Sequence, residues 1–164
     1  MSEGKILFGG YEWLVLKKYD DHILVILEDV LEQERPYHVK REFITWEECT
    51  LRKWLNENFY NTFTPEEQAR ILKTHLENPN DVDWHREGGN DTDDKIFLLS
   101  LNEVEEYMTK SERNDENWWW VRSSGNCQYG EMKFYHINGK SVVGRFEYDI
   151  AREHGVRPAM NLKL

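Results

Sequence analysis

Residues 118–125 read WWWVRSSG and residues 155–160 read GVRPAM, and these two stretches carry the fold prediction. Neighbouring side chains on a strand point to opposite faces of its sheet, so the three indoles at 118–120 line both faces. Two-sided core packing explains such a strand. An exposed indole that stacks on a sugar or a peptide is the alternative.

The two arginines of these stretches are expected to be structural. A guanidinium is costly to bury alone, so Arg122 and Arg157 should each hold loops through carboxylate or carbonyl partners. With Trp119 as a core residue, we predict a framework of Trp119, Arg122 and Arg157.

Strands are predicted at both ends of the chain, with helices between them. The Asn- and Asp-rich stretch 78–95 and the charged stretch 28–41, which contains Pro36, are predicted to be irregular. An order of strands, helices and strands favours an α+β fold over alternating β/α units. The predicted strands are residues 5–8, 12–16, 22–27, 96–99, 118–122, 131–137, 141–148 and 160–164.

Two or three helices are predicted from their start signals and apolar spacing. Thr64 with Glu67, and Ser100 with Glu103, each form a capping-box pattern. An earlier apolar stripe begins at Leu51. The buried faces of these helices are assigned to Leu51, Trp54, Leu55, Phe59, Ile71, Leu72, Val104, Tyr107 and Met108.

Length and composition predict one domain, residues 1–164, with a core rich in aromatic rings. The chain has seven Trp, eight Tyr and seven Phe residues and a net charge of −10. This charge argues against nucleic acid and anionic membranes as partners. The N-terminus lacks a signal-peptide pattern, so a cytoplasmic location is expected, and a phage virion is the alternative.

The sequence contains no recognisable catalytic motif, and the chain is therefore predicted not to be an enzyme. The six histidines form no HExxH or HxH pair. Cys49 and Cys127 have no ligand spacing, and whether they pair is left open. No cofactor is expected, with one exception: calcium could bind the acidic loop at Asp91, Asp93 and Asp94, for which a solvated turn is the other interpretation.

Five motifs resemble a large family of uncharacterised domains in gut-type Firmicutes and their phages, catalogued as a domain of unknown function. They run in order from about Lys5 to Leu164. The chain differs from the common family pattern at Val121, where Leu is usual, and at Ser124, where Pro is usual. The motifs are residues 8–13 (FGGYEW), 45–56 (TWEECTLRKWLN), 94–100 (DKIFLLS), 119–123 (WWVRS) and 155–159 (GVRPA).

The C-terminal pattern also resembles the C-type-lectin-like fold. It consists of a Trp–Arg–Ser strand, a hairpin and a VRPA segment before a last strand. The resemblance implies a mixed or antiparallel sheet with paired N- and C-terminal strands, setting residues 6–8 or 13–16 beside 160–164. Related variable binding proteins contact ligands through residues between the two framework motifs, which here are WWWVRSSG (118–125) and GVRPAM (155–160). By position alone, the implied ligand-binding residues are Asn126, Gln128, Tyr129, Arg145, Tyr148, Arg152 and His154.

The resulting functional hypothesis is a non-catalytic binding module for a protein or a glycan, with an accessory role on a phage or a cell surface as its expected setting. Its rivals are an enzyme of unrecognised type, which would use the acidic loop or Cys127, and a structural or assembly domain. Residues between Ser123 and His154 are the expected binding surface. The sequence leaves the oligomeric state open.

Overall fold

The computed structural model describes residues 3–40, 42, 44–80, 87–113, 119–123, 127–128, 131–132, 136–138, 141–143, 151 and 153–164. The short strands between residues 127 and 143 are described by their backbone alone. Helices and antiparallel strand pairs together form an α+β fold, as the sequence predicts.

Three antiparallel strands open the fold, β1 (Lys5–Phe8), β2 (Tyr11–Lys18) and β3 (His22–Leu27). The hairpin between β1 and β2 turns at Gly9 and Gly10, whose φ values of 59° and 80° favour glycine. A Cβ at Gly9 would also lie 2.2 Å from the Phe63 ring. The apolar run of β3 is buried from Ile23 to Leu27, which confirms its predicted place in the core.

The C-terminal strand β13 (Ala159–Lys163) completes this sheet, whose order is β1-β2-β3-β13. Its partner is β3: Met160 lies opposite Val25, and Leu162 opposite Ile23. The expectation that this strand lies beside residues 6–8 or 13–16 is therefore wrong. Both edges of β2 are occupied by its hairpin partners, and β3 offers the free edge with a continuous apolar run.

The middle of the chain contains the helices α1 (Thr50–Trp54), α2 (Pro65–Gln68) and α3 (Leu101–Tyr107). A 3₁₀ turn precedes α1 (Trp46–Glu48), and a π-helical segment (Leu55–Phe59) and a second 3₁₀ turn (Tyr60–Thr62) follow it. Both predicted capping boxes are present, at the starts of α2 and α3.

One predicted helical face is wrong. Helix α2 ends at Gln68, so Ile71 and Leu72 lie outside it. Ile71 instead forms a bridge with Leu162, and the Leu72 amide donates to the carbonyl of Asn161. Ile71 is buried because the chain runs extended along β13 here.

Among the described residues, the predicted strand 118–122 is a strand only at Trp119–Trp120. Residues 96–99 are all buried, but their only described ladder contact is a bridge between Phe97 and Ala159. Of the predicted strand 131–137, residues 131–132 and 136–137 are described, and both stretches are strand. The strands are β4 (Arg35–Pro36), β5 (Thr74–Leu76), β6 (Thr92–Asp94), β7 (Trp119–Trp120), β8 (Cys127–Gln128), β9 (Glu131–Met132), β10 (His136–Asn138), β11 (Ser141–Val143) and β12 (Glu153–His154).

These strands form one three-stranded sheet, β11-β10-β7, and the pairs β4–β12, β5–β6 and β8–β9. The β10–β11 hairpin pairs Asn138 with Ser141. Trp119 and Trp120 on β7 are both fully buried, so core packing is correct for these two indoles, and Trp118 lies outside the described residues. Over the described parts of the chain, every helix is too short to cross a membrane.

Arg122 joins three segments of this core. Its guanidinium forms an ion pair with Glu103 of α3, and donates to the Leu98 carbonyl over 3.1 Å and to the Asn78 side chain over 3.2 Å. The Glu103 carboxylate also accepts from the Ser100 amide in the capping box. The two kinds of partner anticipated for Arg122, carboxylate and carbonyl, are both in contact with it.

We predict that Arg122→Met lowers the free energy of unfolding by about 2 to 4 kcal/mol, because Glu103 and the Leu98 carbonyl lose a buried charged donor. Chemical denaturation measures this change. The exposed Glu105→Gln on α3 is the control and should cost less than about 0.5 kcal/mol. Equal stability of the two variants would contradict the bridging role.

Candidate functional site

A groove of about 640 Å³ opens where the β1–β2 hairpin, the segment after β3 and helix α1 meet. Three aromatic rings and four carboxylates line it, and this mixture of apolar and polar groups is typical of ligand sites. The described lining residues are Gly10, Tyr11, Glu12, Leu27, Glu28, Asp29, Val30, Leu31, Glu32, Gln33, Trp54, Phe59 and Thr62.

The aromatic part of the groove comes from two distant pieces of chain. Tyr11 starts β2, directly after the Gly9-Gly10 turn. Trp54 is the last residue of α1, and Phe59 is the last residue of the π-helical segment that follows. The Phe59 ring is 5.8 Å from Tyr11 and 5.7 Å from Trp54, centroid to centroid. Tyr11 and Trp54 remain partly exposed, whereas Phe59 is buried beneath them.

Residues 27–33 form the acidic wall of the groove, and the GVRPAM motif holds this wall in place. The Leu27 amide donates to the Pro158 carbonyl over 2.8 Å, and the Leu31 amide donates to the Val156 carbonyl over 2.9 Å. The motif therefore holds the wall at its start, Leu27 at the end of β3, and at Leu31, while residues 28–33 form no strand or helix of their own.

Arg157 is the side-chain anchor of the same wall and is only 1% exposed. Its guanidinium donates to the carbonyls of Leu27 over 2.7 Å, of Glu112 over 2.7 Å, and of Glu28. It also lies 5.3 Å from the ring centroid of Trp119. Burial lowers the pKa of Arg157 to about 10, so the group stays protonated at neutral pH.

The other framework motif reaches the groove through Arg35. The Trp120 indole N–H donates to the Arg35 carbonyl over 2.8 Å, and β4 pairs Arg35 with His154 of β12. The Arg35 guanidinium then lies over the Trp54 ring, 3.8 Å from its centroid, in cation–π contact. A continuous set of contacts thus joins Trp120 to an aromatic residue of the groove.

The electrostatics of the groove are acidic. Lys5, outside the lining, forms an ion pair with Glu28. That hydrogen bond lowers the pKa of Glu28, and the Lys5 pKa is raised first by it and then by the charges of Glu28, Glu12 and Asp29. One ammonium group is therefore influenced by three carboxylates of the groove.

Of the seven ligand-binding residues predicted by position, only the side chain of His154 lies among the described residues. It is partly buried, with its ring 4.9 Å from Trp120 in an edge-on contact. Gln128 is placed in β8 by its backbone alone. The others, Asn126, Tyr129, Arg145, Tyr148 and Arg152, lie outside the described part, so their role stays a prediction.

In the acidic loop, Asp94 is committed to a buried network. One carboxylate oxygen accepts from the Trp46 indole and the Thr92 hydroxyl, each over 2.9 Å, and the other accepts from Arg52 Nε over 2.8 Å. Asp94 is 2% exposed, so it serves to hold the 3₁₀ turn and α1 against β6.

Asp91 and Asp93 point to a different side, toward His75. Asp93 lies 2.9 Å from His75 Nδ1, and Asp91 lies 3.6 Å from Nε2 and also accepts from the Asn78 amide over 2.9 Å. Asp91, Asp93 and Asp94 therefore do not converge, and the described residues contain no group of three or more His, Cys, Asp or Glu able to hold a metal ion. Asp93 and Asp94 belong to strand β6 and Asp94 is buried, so the solvated-turn interpretation is wrong for these two residues, and the separation of the three carboxylates does not favour the calcium alternative either.

Cys49 has a free and buried thiol that serves as the N-cap of α1, accepting from the Arg52 amide. Burial raises the pKa of this thiol to about 12, so it is not a thiolate nucleophile at neutral pH. The Cys127 side chain lies outside the described residues.

The groove was missed by sequence reasoning. Trp54 was assigned to a helix core and residues 28–33 to an irregular connection. One signal was present: residues 28–33, directly after a buried strand, contain three acidic residues and two apolar ones, a composition more typical of a binding loop than of a short turn.

Residues 20–164 match the family described as Domain of unknown function (DUF6273), and the chain belongs to that family. The match includes both framework motifs, the acidic wall and Trp54, whereas Tyr11 and Glu12 precede it. No curated protein and no solved structure matched the chain.

We predict that Arg157→Ala lowers the free energy of unfolding by about 2 kcal/mol or more, because three carbonyls lose a buried donor. Arg157→Lys should lie between the wild type and Arg157→Ala, since one ammonium cannot reproduce the planar set of donors. Denaturant titration measures stability. Hydrogen exchange should show faster exchange at Leu27 and Leu31 in Arg157→Ala, and unchanged stability and exchange would contradict the anchoring role.

We predict that His75 titrates above the ordinary histidine pKa, because the hydrogen bond with Asp93 favours the charged ring. The contribution of this pair to stability is complete below the ordinary pKa and disappears as the pH rises through the folded-state value. NMR titration should show a lower His75 pKa in Asp93→Asn. An unchanged pKa would exclude the pair in solution, and a His75 pKa that falls on adding calcium would restore the calcium alternative.

Proposed function

We propose that this domain is a non-catalytic binding module whose ligand is a protein or a glycan and whose contact surface includes the groove. The observation that carries the proposal is the groove itself, with partly exposed Tyr11 and Trp54 beside exposed carboxylates. Aromatic rings flanked by hydrogen-bonding groups suit both sugars and peptides.

The proposal includes a C-type-lectin-like arrangement of the chain. In support, VRPA leads into a C-terminal strand that joins the N-terminal sheet, and β7 follows the helical middle of the chain. Both features agree with the order of elements that the resemblance implies.

His154, the last residue of the expected contact span, is connected to the groove through Arg35. His154 ends the span, pairs with Arg35 and packs on Trp120, and Arg35 covers Trp54. We propose that His154 and the groove belong to one contact surface, with the groove as its aromatic part, as would suit a phage or cell-surface accessory.

Glycan and peptide arrays probed with the wild-type domain test this function. We expect a ligand whose signal falls about tenfold or more in Trp54→Leu, because the groove loses the largest ring of its aromatic part together with the Arg35 guanidinium that the ring holds. Glu105→Gln, exposed on α3 and outside the groove, is the control and should bind as the wild type does.

The recovered ligand separates the rival classes. A ligand released chemically unchanged supports a binding module, whereas one released in altered form would establish an enzyme. Binding that is indifferent to Trp54→Leu, or no binding on either array, would overturn the proposed groove function.

A further inference from the structure

We propose that the groove binds a basic segment of a partner protein, taking an Arg or Lys side chain between its aromatic rings and its acidic wall. This inference rests on the proposed function and selects a protein ligand over a glycan. It follows from the charge of the lining, from the behaviour of Trp54 toward a cation and from the size of the groove.

The charge of the lining is one-sided. Glu12, Glu28, Asp29 and Glu32 all contribute carboxylates, and the described lining residues include no Lys, Arg or His. Carboxylates that share a groove with low-dielectric rings concentrate the electric field and attract cations, while a neutral sugar gains little from that field. The net charge of −10 on the whole chain adds to the attraction.

The nearby positive charges already have partners, Arg35 among them, whose guanidinium lies on the Trp54 ring and donates to Gln33. Lys5 is paired with Glu28, and Arg157 is directed to backbone carbonyls beneath the wall. Glu12 and Glu32 are both exposed, so their carboxylates can be reached by a ligand from solvent.

Trp54 already accepts a guanidinium within the chain. Arg35 lies 3.8 Å from the ring centroid, and its Nη2 donates to the Gln33 side chain over 3.0 Å. A guanidinium stacked on an indole while hydrogen-bonded to a residue of the wall is the same arrangement that a ligand arginine would make with Tyr11 and Glu12. The groove thus combines the two groups that recognise basic side chains, aromatic rings and carboxylates.

The size of the groove fits a few residues of peptide. A volume of about 640 Å³ is within the range of sites that enclose most of a small ligand, and it exceeds what one side chain needs. The occupant is therefore expected to be a short extended segment with one basic side chain inserted and others along the acidic wall.

The test uses a short fluorescein-labelled peptide of alternating Arg and Lys, with a matched peptide in which Gln replaces every basic residue. Fluorescence anisotropy with the full chain should show binding of the basic peptide only. In the double variant Glu12→Gln with Glu32→Gln, the basic peptide should bind about tenfold more weakly, and rising salt should weaken the wild-type complex.

The control is a second double variant, Glu66→Gln with Glu105→Gln, at exposed positions outside the groove. It changes the net charge of the chain by the same amount, so it isolates the position of the charges from their number. We expect this control to bind the basic peptide within about twofold of the wild type.

Each other outcome overturns the inference. Equal weakening in both double variants would mean attraction to the overall charge, and no binding of the basic peptide would exclude a basic ligand. Trp54-dependent binding of a neutral oligosaccharide or of the Gln peptide, without binding of the basic peptide, would overturn the inference and leave the proposed function standing.

Discussion

The hydrogen bonds from the buried guanidinium of Arg157 to three backbone carbonyls are the constraint on which the rest of the structure depends. A buried cation needs fixed acceptors, and here they come from the end of β3 and from the connection after α3. Because these segments are far apart in sequence, the one side chain sets the distance between the N-terminal sheet and the helical middle of the chain. Trp119 packs against the same group, so the two framework motifs meet at this point.

Different residues stabilise the fold and line the groove. The WWV and VRPA motifs are buried and bond mainly to backbone, which suits them to hold a wall whose own side chains face solvent. Residues 28–33 are free of regular structure, so their exposed side chains can change without loss of the hydrogen bonds to Val156 and Pro158. A family can in this way keep one fold and vary what its members contact.

Sequence reasoning succeeded where the determinant was local. The capping boxes at Thr64 and Ser100, the Gly9-Gly10 turn and the apolar run of β3 depend on neighbouring residues, and all are present. It failed where long-range pairing decides the structure. Strand β13 pairs with the free edge of β3, and Ile71, which was predicted to lie on a helix, forms a bridge with Leu162. The groove was missed for the same reason, because Tyr11 and Trp54 are brought together by tertiary packing alone.

The pairing of β3 with β13 has a consequence for synthesis on the ribosome. Residues 22–27 emerge early, but their partners at 159–163 emerge only after the whole intervening chain. Until then the most apolar strand of the protein presents an unpaired edge, which is a template for association with other chains. Closure of a loop this long is also slow, since its entropy must be lost before the contacts form. A nascent or prematurely terminated chain is therefore expected to require chaperone protection of β3, and the net negative charge would help to keep such chains apart in the meantime.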